Sequence, residues 1–396
     1  MVLERELTLA ALVAGGLLST ACGDDGTAED RPCDVAGHAC TWAGIPDVLA
    51  FTPDGASRLD TALYWPMDLS FAADGTAWFI DWNNHLVRRV LADDTVKSYV
   101  GWVDPVFPGD GLPGTAERTA EGAPGLDVQL HHPTDLVQLP DGKVLIMAWH
   151  NHKLRQLDPV TGRVRIVAGG GAGYAGDNGT ALGTATLFRQ PKALERDVNG
   201  DLYILDQQNF RVRKIDGVSG LVSTVAGNGL QGSDGDGGPA LMAKLGFEAG
   251  SNPEPSGGLA LAGGTLYIAD TLGNKVRAVD LASGMIDLVA GTGTEGHGGD
   301  GGPALAAQLA HPRDLELGPD GDLYIADTDS NSIRAIDLTT GMIRTVAGTG
   351  VLGLDEDDGR LATETRLRRP FGIEFDRSGA LYIADTINSR ILKVAR

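Results

Sequence analysis

The chain has 396 residues and 56 glycines, twice the usual ~7% share, which is too rich for a helical protein and has no collagen period. Lys and Arg number 32 against 53 Asp and Glu, so the net charge of −21 argues against a nucleic-acid or anionic-membrane surface. Hydrophobic residues make up 42% of the chain, which supports a real core and excludes global disorder.

Leu7 to Leu18 is a largely apolar run, the length of a signal-peptide core and short for a bilayer span. It ends in Leu18-Ser19-Thr20-Ala21-Cys22, which resembles a bacterial lipobox and implies lipidation of Cys22. Ser19 and Ala21 also suit ordinary cleavage of a secreted protein. Residues 1–22 are therefore expected to be a signal peptide, and residues 23–40 a polar tether. Cys33 and Cys40 remain, and an oxidising space allows them to pair; two free thiols are the alternative.

From residue 41 to 396 a repeat runs through the chain. Its anchors are Pro66, Pro133, Pro191, Pro255, Pro312 and Pro370. Twelve residues after each comes Trp78, Leu145, Tyr203, Tyr267, Tyr324 or Tyr382. Between them lie Asp74-Gly75, Asp141-Gly142, Asn199-Gly200, Gly263-Gly264, Asp320-Gly321 and Ser378-Gly379, dipeptides that supply the positive φ of tight hairpins. Gly162, Gly220, Gly284 and Gly341 mark a second hairpin in four units. Four short strands per unit, repeated radially, describe an all-β, six-bladed propeller. The last unit stops before its fourth strand, and Thr41-Trp42-Ala43-Gly44 matches Thr345-Val346-Ala347-Gly348. The spacing predicts that an N-terminal strand closes the ring and hides its sheet edges. Closed sheets give no edge-strand reason to oligomerise, and a monomer is expected.

The turn between the second and third strands reads Asp81-Trp82-Asn83-Asn84-His85-Leu86, then Asn151-His152-Lys153-Leu154, then Asp385-Thr386-Ile387-Asn388-Ser389-Arg390-Ile391. It resembles the NHL repeat, whose consensus runs Y-x-A-D-x-x-N-H-R-I, and the resemblance covers all six units. Ala148 replaces the Asp in the second unit, and Asn274 and Asn331 come one place late. The loops Asp234-Gly235-Asp236-Gly237-Gly238-Pro239-Ala240 and Gly298-Gly299-Asp300-Gly301-Gly302-Pro303-Ala304 resemble those of teneurin-type NHL propellers and exported bacterial NHL proteins.

Asp81, Asp206, Asp270, Asp327 and Asp385 recur in five of six units, which argues against one active site and for acceptors of backbone N–H groups in the turn. The Asp-Gly loops and Asp355-Glu356-Asp357-Asp358 are expected to form turns, with calcium binding as the alternative. The residues before the anchor prolines are Trp65, His132, Gln190, Glu254, His311 and Arg369. Repeat equivalence predicts that all six begin the innermost strands and ring one mouth of the channel, with Asp68, Asp135 and Asp314 deeper in the funnel. They are large and differ between blades while the scaffold is constant, as a binding site on a repeat scaffold requires. Plugging of the channel is the bland alternative.

Four of the eight histidines, His131, His132, His150 and His152, belong to the second unit. No metal or cofactor is assigned, with a zinc site built from His132, His150 and His152 as the alternative. Some NHL-type propellers are peptide-processing lyases with histidine-bound metal, and the resemblance makes a metal-dependent lyase or hydrolase at the mouth a rival reading. The leading expectation is a non-enzymatic scaffold, exported and lipid-anchored in the envelope or secreted, that binds a protein, a peptide or a small polar ligand. A purely structural envelope protein is the second rival.

Overall fold

The structure is a computed structural model that describes residues 32–102, 116–181, 185–251, 253–355 and 358–396. Cys22 and its lipobox, and Glu356 and Asp357 of the acidic run, lie outside these residues.

Six antiparallel sheets form the six blades of a β-propeller. The fifth blade is typical, with strands Pro312–Leu317, Leu323–Asp327, Ser332–Asp337 and Met342–Ala347 paired in chain order. Each first strand lines the centre and each fourth strand lies at the rim. The hairpin glycines Gly75, Gly142, Gly200, Gly264, Gly321 and Gly379 have φ between +80° and +92°, conformations a side chain would strain. Second strands such as Ala77–Asp81, Val144–Ala148 and Leu323–Asp327 are buried at every position. Both of their faces pack against neighbouring strands and blades, which explains their unbroken apolar runs. The core therefore lies between blades: Trp78, Ile80 and Val87 of the first pack with Leu136, Ile146 and Leu157 of the second.

In the sixth blade His38–Ala43 pairs antiparallel with Arg390–Val394, in register Cys40 to Lys393 and Thr41 to Leu392. The strand starts at His38, so residues 38–40, expected in the tether, belong to the sheet. Cys33 and Cys40 are joined by a disulfide with Cα atoms 5.5 Å apart. Asp358 Oδ1 accepts hydrogen bonds from Thr41 N and Thr41 Oγ1.

The loops between blades cover the outer sheet edges. Ala123–Pro124, Gly238–Pro239 and Arg360–Leu361 each pair with the fourth strand of the blade they lead into. Single bridges do the same at Ser57 to Thr95, Thr180 to Leu221 and Pro303 to Met342. Unpaired edges would otherwise template association.

The same loops hold carboxylates over buried arginines. Arg213 sits between Asp206 of its own turn and Asp177 of the incoming loop, at 3.4 and 2.7 Å. Arg277 repeats this with Asp270 and Asp236 at 3.2 and 2.7 Å, and Arg88, with Asp81 and Asp54, at 3.2 and 3.6 Å. All three arginines are fully buried. The repeated Asp also accepts a backbone N–H from the start of its blade: Tyr64 to Asp81, Arg189 to Asp206, Ala310 to Asp327 and Arg368 to Asp385. Where Ala148 replaces the Asp, Asn151 Oδ1 takes the His131 N–H, and Arg155 turns to Glu117 at 2.7 Å.

Candidate functional site

The mouth of the channel is built by two positions that recur in most of the repeats. The first is the residue before the anchor proline. Trp65, His132, Gln190, His311 and Arg369 stand there, all in the left-handed region with φ of 58°, 53°, 52°, 47° and 50°. The neighbouring blade holds four of these amides in place. His132 N donates to His85 Nδ1 and Gln190 N to His152 Nδ1, each at 3.0 Å. His311 N donates to Asn274 Oδ1 at 2.9 Å and Arg369 N to Asn331 Oδ1 at 3.0 Å. The His or Asn that ends four of the six turns is thus a latch between blades, whereas Phe210 and Ser389 end the other two. Its own left-handed backbone, as at His85 and Asn274, aims the side chain across the gap.

A left-handed residue with a Cβ costs roughly 1–2 kcal/mol, and glycine avoids that cost. Five blades nonetheless place a large side chain there. Gln190→Gly is expected to be more stable than Gln190→Ala by about 1 kcal/mol in urea unfolding, the reverse of the order in an ordinary strand. An alanine variant as stable as the glycine variant would show that no strain is stored at this position.

Glu254 does not begin an innermost strand. The bond from Asp329 N to Ala310 O that precedes the fifth blade recurs as Leu272 N to Gly246 O in the fourth. Phe247, fully buried, therefore holds the place of His311, and residues 248–255 are an insertion. Gln207 Nε2 donates to Glu248 O and Glu254 O, and ties this insertion across the mouth. Pro255 belongs to it as well: Leu259 pairs with Ile268 as Leu315 pairs with Ile325, one residue out of step with the other anchors. The Gly263-Gly264 hairpin is one residue shorter than its counterparts, so the spacing from Pro255 to Tyr267 looks regular.

The second mouth position lies two residues after the repeated Asp: Asn83, His150, Gln208 and Asp329. Sequence reasoning overlooked it, although the repeat alignment exposes it. Each pairs with a ring residue: Asn83 Oδ1 with His132 Nε2 at 3.2 Å, His150 with His132, Gln208 Nε2 with Gln190 Oε1, and Asp329 Oδ2 with His311 Nδ1 at 2.8 Å.

The mouth has two chemically different halves. On one side Arg369 reaches Asp329 at 2.6 Å and Glu254 at 2.7 Å, and Arg313 reaches Glu254 at 2.8 Å. Burial would raise the Asp329 carboxyl, but the His311 hydrogen bond and the two guanidiniums hold it at about 2. The same hydrogen bond raises His311. On the other side aromatic rings crowd together. Trp65 stacks on Trp82 with centroids 6.1 Å apart, Trp82 meets His132 at 4.3 Å, and Trp149 stacks on His150 at 4.0 Å. Burial and then neighbouring imidazoles push His150 down to about 3 and His132 lower still.

His132 and His150 come together as expected, but His152 does not join them. Its Nδ1 is engaged by Gln190 N, and His131 takes its place. Below the mouth, Asp68, Asp135 and Asp314 line the channel with Glu195, Glu316 and Glu374. The three glutamates stand four residues after their anchor prolines, a signal that escaped the sequence reading. Each aspartate accepts one N–H of the next blade's first strand: Leu136, Leu194 and Ile373. Lys192 approaches this cluster and stands 3.9 Å from Asp314. Burial and then mutual repulsion raise Asp135 to about 7; burial likewise raises Glu374 to about 8.

No family model matches the sequence. The chain is 27% identical over 401 residues to the protein SUPPRESSOR OF QUENCHING 1, chloroplastic, of Arabidopsis thaliana, which covers 97% of this chain and 36% of the relative. It is 30% identical over 231 residues to human NHL repeat-containing protein 2, covering 52% of this chain and 31% of the relative. The chain thus spans about a third of the length of these relatives. An auxiliary nutrient binding protein from Bacteroides thetaiotaomicron shares the fold, with a TM-score of 0.61 at 17% identity over 90% of this chain and 75% of that one. Turn motif, blade architecture and relatives agree: the chain is an NHL-repeat β-propeller.

Proposed function

We propose that this propeller is an exported binding scaffold that takes a small polar ligand or a peptide at the channel mouth, without catalysing its conversion. The observation that carries the reading is the contrast between positions within one repeat. The latch, the buried arginine and its carboxylates recur from blade to blade, whereas the strained ring position holds Trp65, His132, Gln190, His311 or Arg369. Backbone strain retained with bulky, unlike side chains is expected where they serve recognition. The divided mouth suits a ligand with a planar or apolar face and a charged end, the first against Trp65 and Trp82 and the second against the Arg369, Glu254 and Asp329 network. The name of the Bacteroides structural neighbour agrees with ligand binding. The Cys33–Cys40 disulfide and the apolar start of the chain support export, with Cys22 as the lipid anchor.

The test is a thermal-shift panel of amino acids, short peptides and sugars on the purified chain. At least one class is expected to raise the melting temperature saturably; a ligand at 100 times its Kd adds about 2.7 kcal/mol. Trp65→Ala and Arg369→Ala are expected to abolish the shift. A shift that survives both substitutions, or no shift across the panel, would overturn the reading.

A further inference from the structure

Three imidazole nitrogens converge beside the mouth. His132 Nδ1 lies 3.0 Å from His150 Nδ1, which lies 3.1 Å from His131 Nε2. All three atoms fall within 4.8 Å of one another. A neutral imidazole has one ring proton. His132 Nε2 faces Asn83 Oδ1, which can only accept, so the His132 proton sits on Nε2 and Nδ1 carries a lone pair. A proton on His150 Nδ1 can then serve His132 or His131, but not both. A proton on His150 Nε2 leaves two lone pairs opposed at 3.0 Å. With the His132 proton on Nε2, no neutral tautomers of His150 and His131 give each of these two contacts its own proton. A cation at the point of convergence accepts all three lone pairs.

The two short separations, 3.0 and 3.1 Å, are close to those of that solution. Zinc–nitrogen bonds of about 2.0–2.1 Å at tetrahedral angles place ligand nitrogens about 3.3 Å apart. Asn83 supplies the outer hydrogen bond that orients a metal-binding histidine. Trp82 and Trp149, packed on His132 and His150, restrict the rings to this arrangement. An all-imidazole donor set selects zinc or copper over the oxygen-seeking magnesium and calcium.

We propose that His131, His132 and His150 form a binding site for one divalent transition-metal ion, zinc or copper, with the fourth coordination position left to water or a ligand group. The site is built almost entirely within one blade and does not depend on whether the mouth takes an organic ligand.

Zinc is the probe, titrated into the full chain against a chromophoric chelator. One zinc per chain is expected. His131→Ala and His150→Ala should each weaken binding at least about 100-fold, and Asn83→Ala by about 10–100-fold. His38→Ala, remote in the closing strand, should change it less than twofold. Cobalt in the unsubstituted chain should give intense visible bands of tetrahedral nitrogen coordination, which keeps the test valid if a histidine variant fails to fold. Absence of stoichiometric zinc, zinc binding undiminished in both histidine variants, or weak octahedral cobalt bands pointing to the channel carboxylates would each overturn the proposal.

Discussion

Arg213→Met is expected to cost the propeller about 3–5 kcal/mol in urea unfolding. The guanidinium is fully buried between Asp206, also fully buried, and Asp177. Its Nη2 also donates to Ala175 O in the loop leading into the blade. Methionine fills part of the volume and leaves Asp206 with the Arg189 and Asn209 hydrogen bonds but no counter-charge. Asp206→Asn in the same background should recover part of the loss, because the uncompensated charge is then gone. Lys244→Ala provides the contrast. Its pair with Asp234 is exposed and screened by solvent, and its removal should leave the urea unfolding midpoint essentially unchanged. A cost below about 1 kcal/mol for Arg213→Met would show that the repeated Asp–Arg–Asp unit does not hold blade to loop.

The second large effect lies in the channel. Glu316→Gln is expected to stabilise the protein by about 1–3 kcal/mol at pH 8. Burial, then Glu374, Glu195, Asp314 and Asp68, raise the Glu316 carboxyl well above its ordinary value. A carboxyl raised on folding takes up its proton more readily in the folded chain. Its ionisation therefore costs stability as pH rises from about 4, where it titrates when unfolded, through its folded value. Above that value the full cost is present, and below about pH 4 it vanishes. The advantage of Glu316→Gln should consequently shrink to nothing by about pH 4.5. The wild-type profile alone does not isolate this effect. His150 and His152, lowered to about 3 and 4 by burial first, lose stability as pH falls below about 6.5, and Asp329 does so as pH falls towards 2. Unfolding curves of both proteins from pH 4.5 to 8 separate the contributions. A Glu316→Gln variant that gains nothing at pH 8, or gains equally at both ends, would contradict a strained acidic channel.

Six blades were legible in the sequence because proline anchors, hairpin glycines and apolar second strands recur at near-constant internal spacing. The repeated aspartates were also legible as turn acceptors, since five equivalent carboxylates do not make one active site. Their buried arginine partners were not read, although Arg88, Arg213, Arg277 and Arg334 each stand seven residues after their Asp. Alignment by spacing failed in the fourth blade. There a shortened hairpin and an inserted loop offset each other, so Glu254 took the apparent place of Phe247. The histidine cluster was half legible. His152 was grouped with His132 and His150 by proximity in sequence. Its left-handed backbone turns it instead towards the third blade, which spacing along one chain segment does not reveal.

The central claim is that the repeated chemistry builds the scaffold while the unlike ring residues bind. Arg369→Ala tests it most directly when its melting temperature and its ligand-induced shift are measured together. The account predicts a folded, cooperatively melting variant with a lowered melting temperature, because Arg369 pairs with half-buried Asp329 and Glu254 but Arg313 and His311 remain to neutralise them. It also predicts that the shift given by the ligand found with the unsubstituted chain disappears. A variant that keeps the full ligand shift would contradict it.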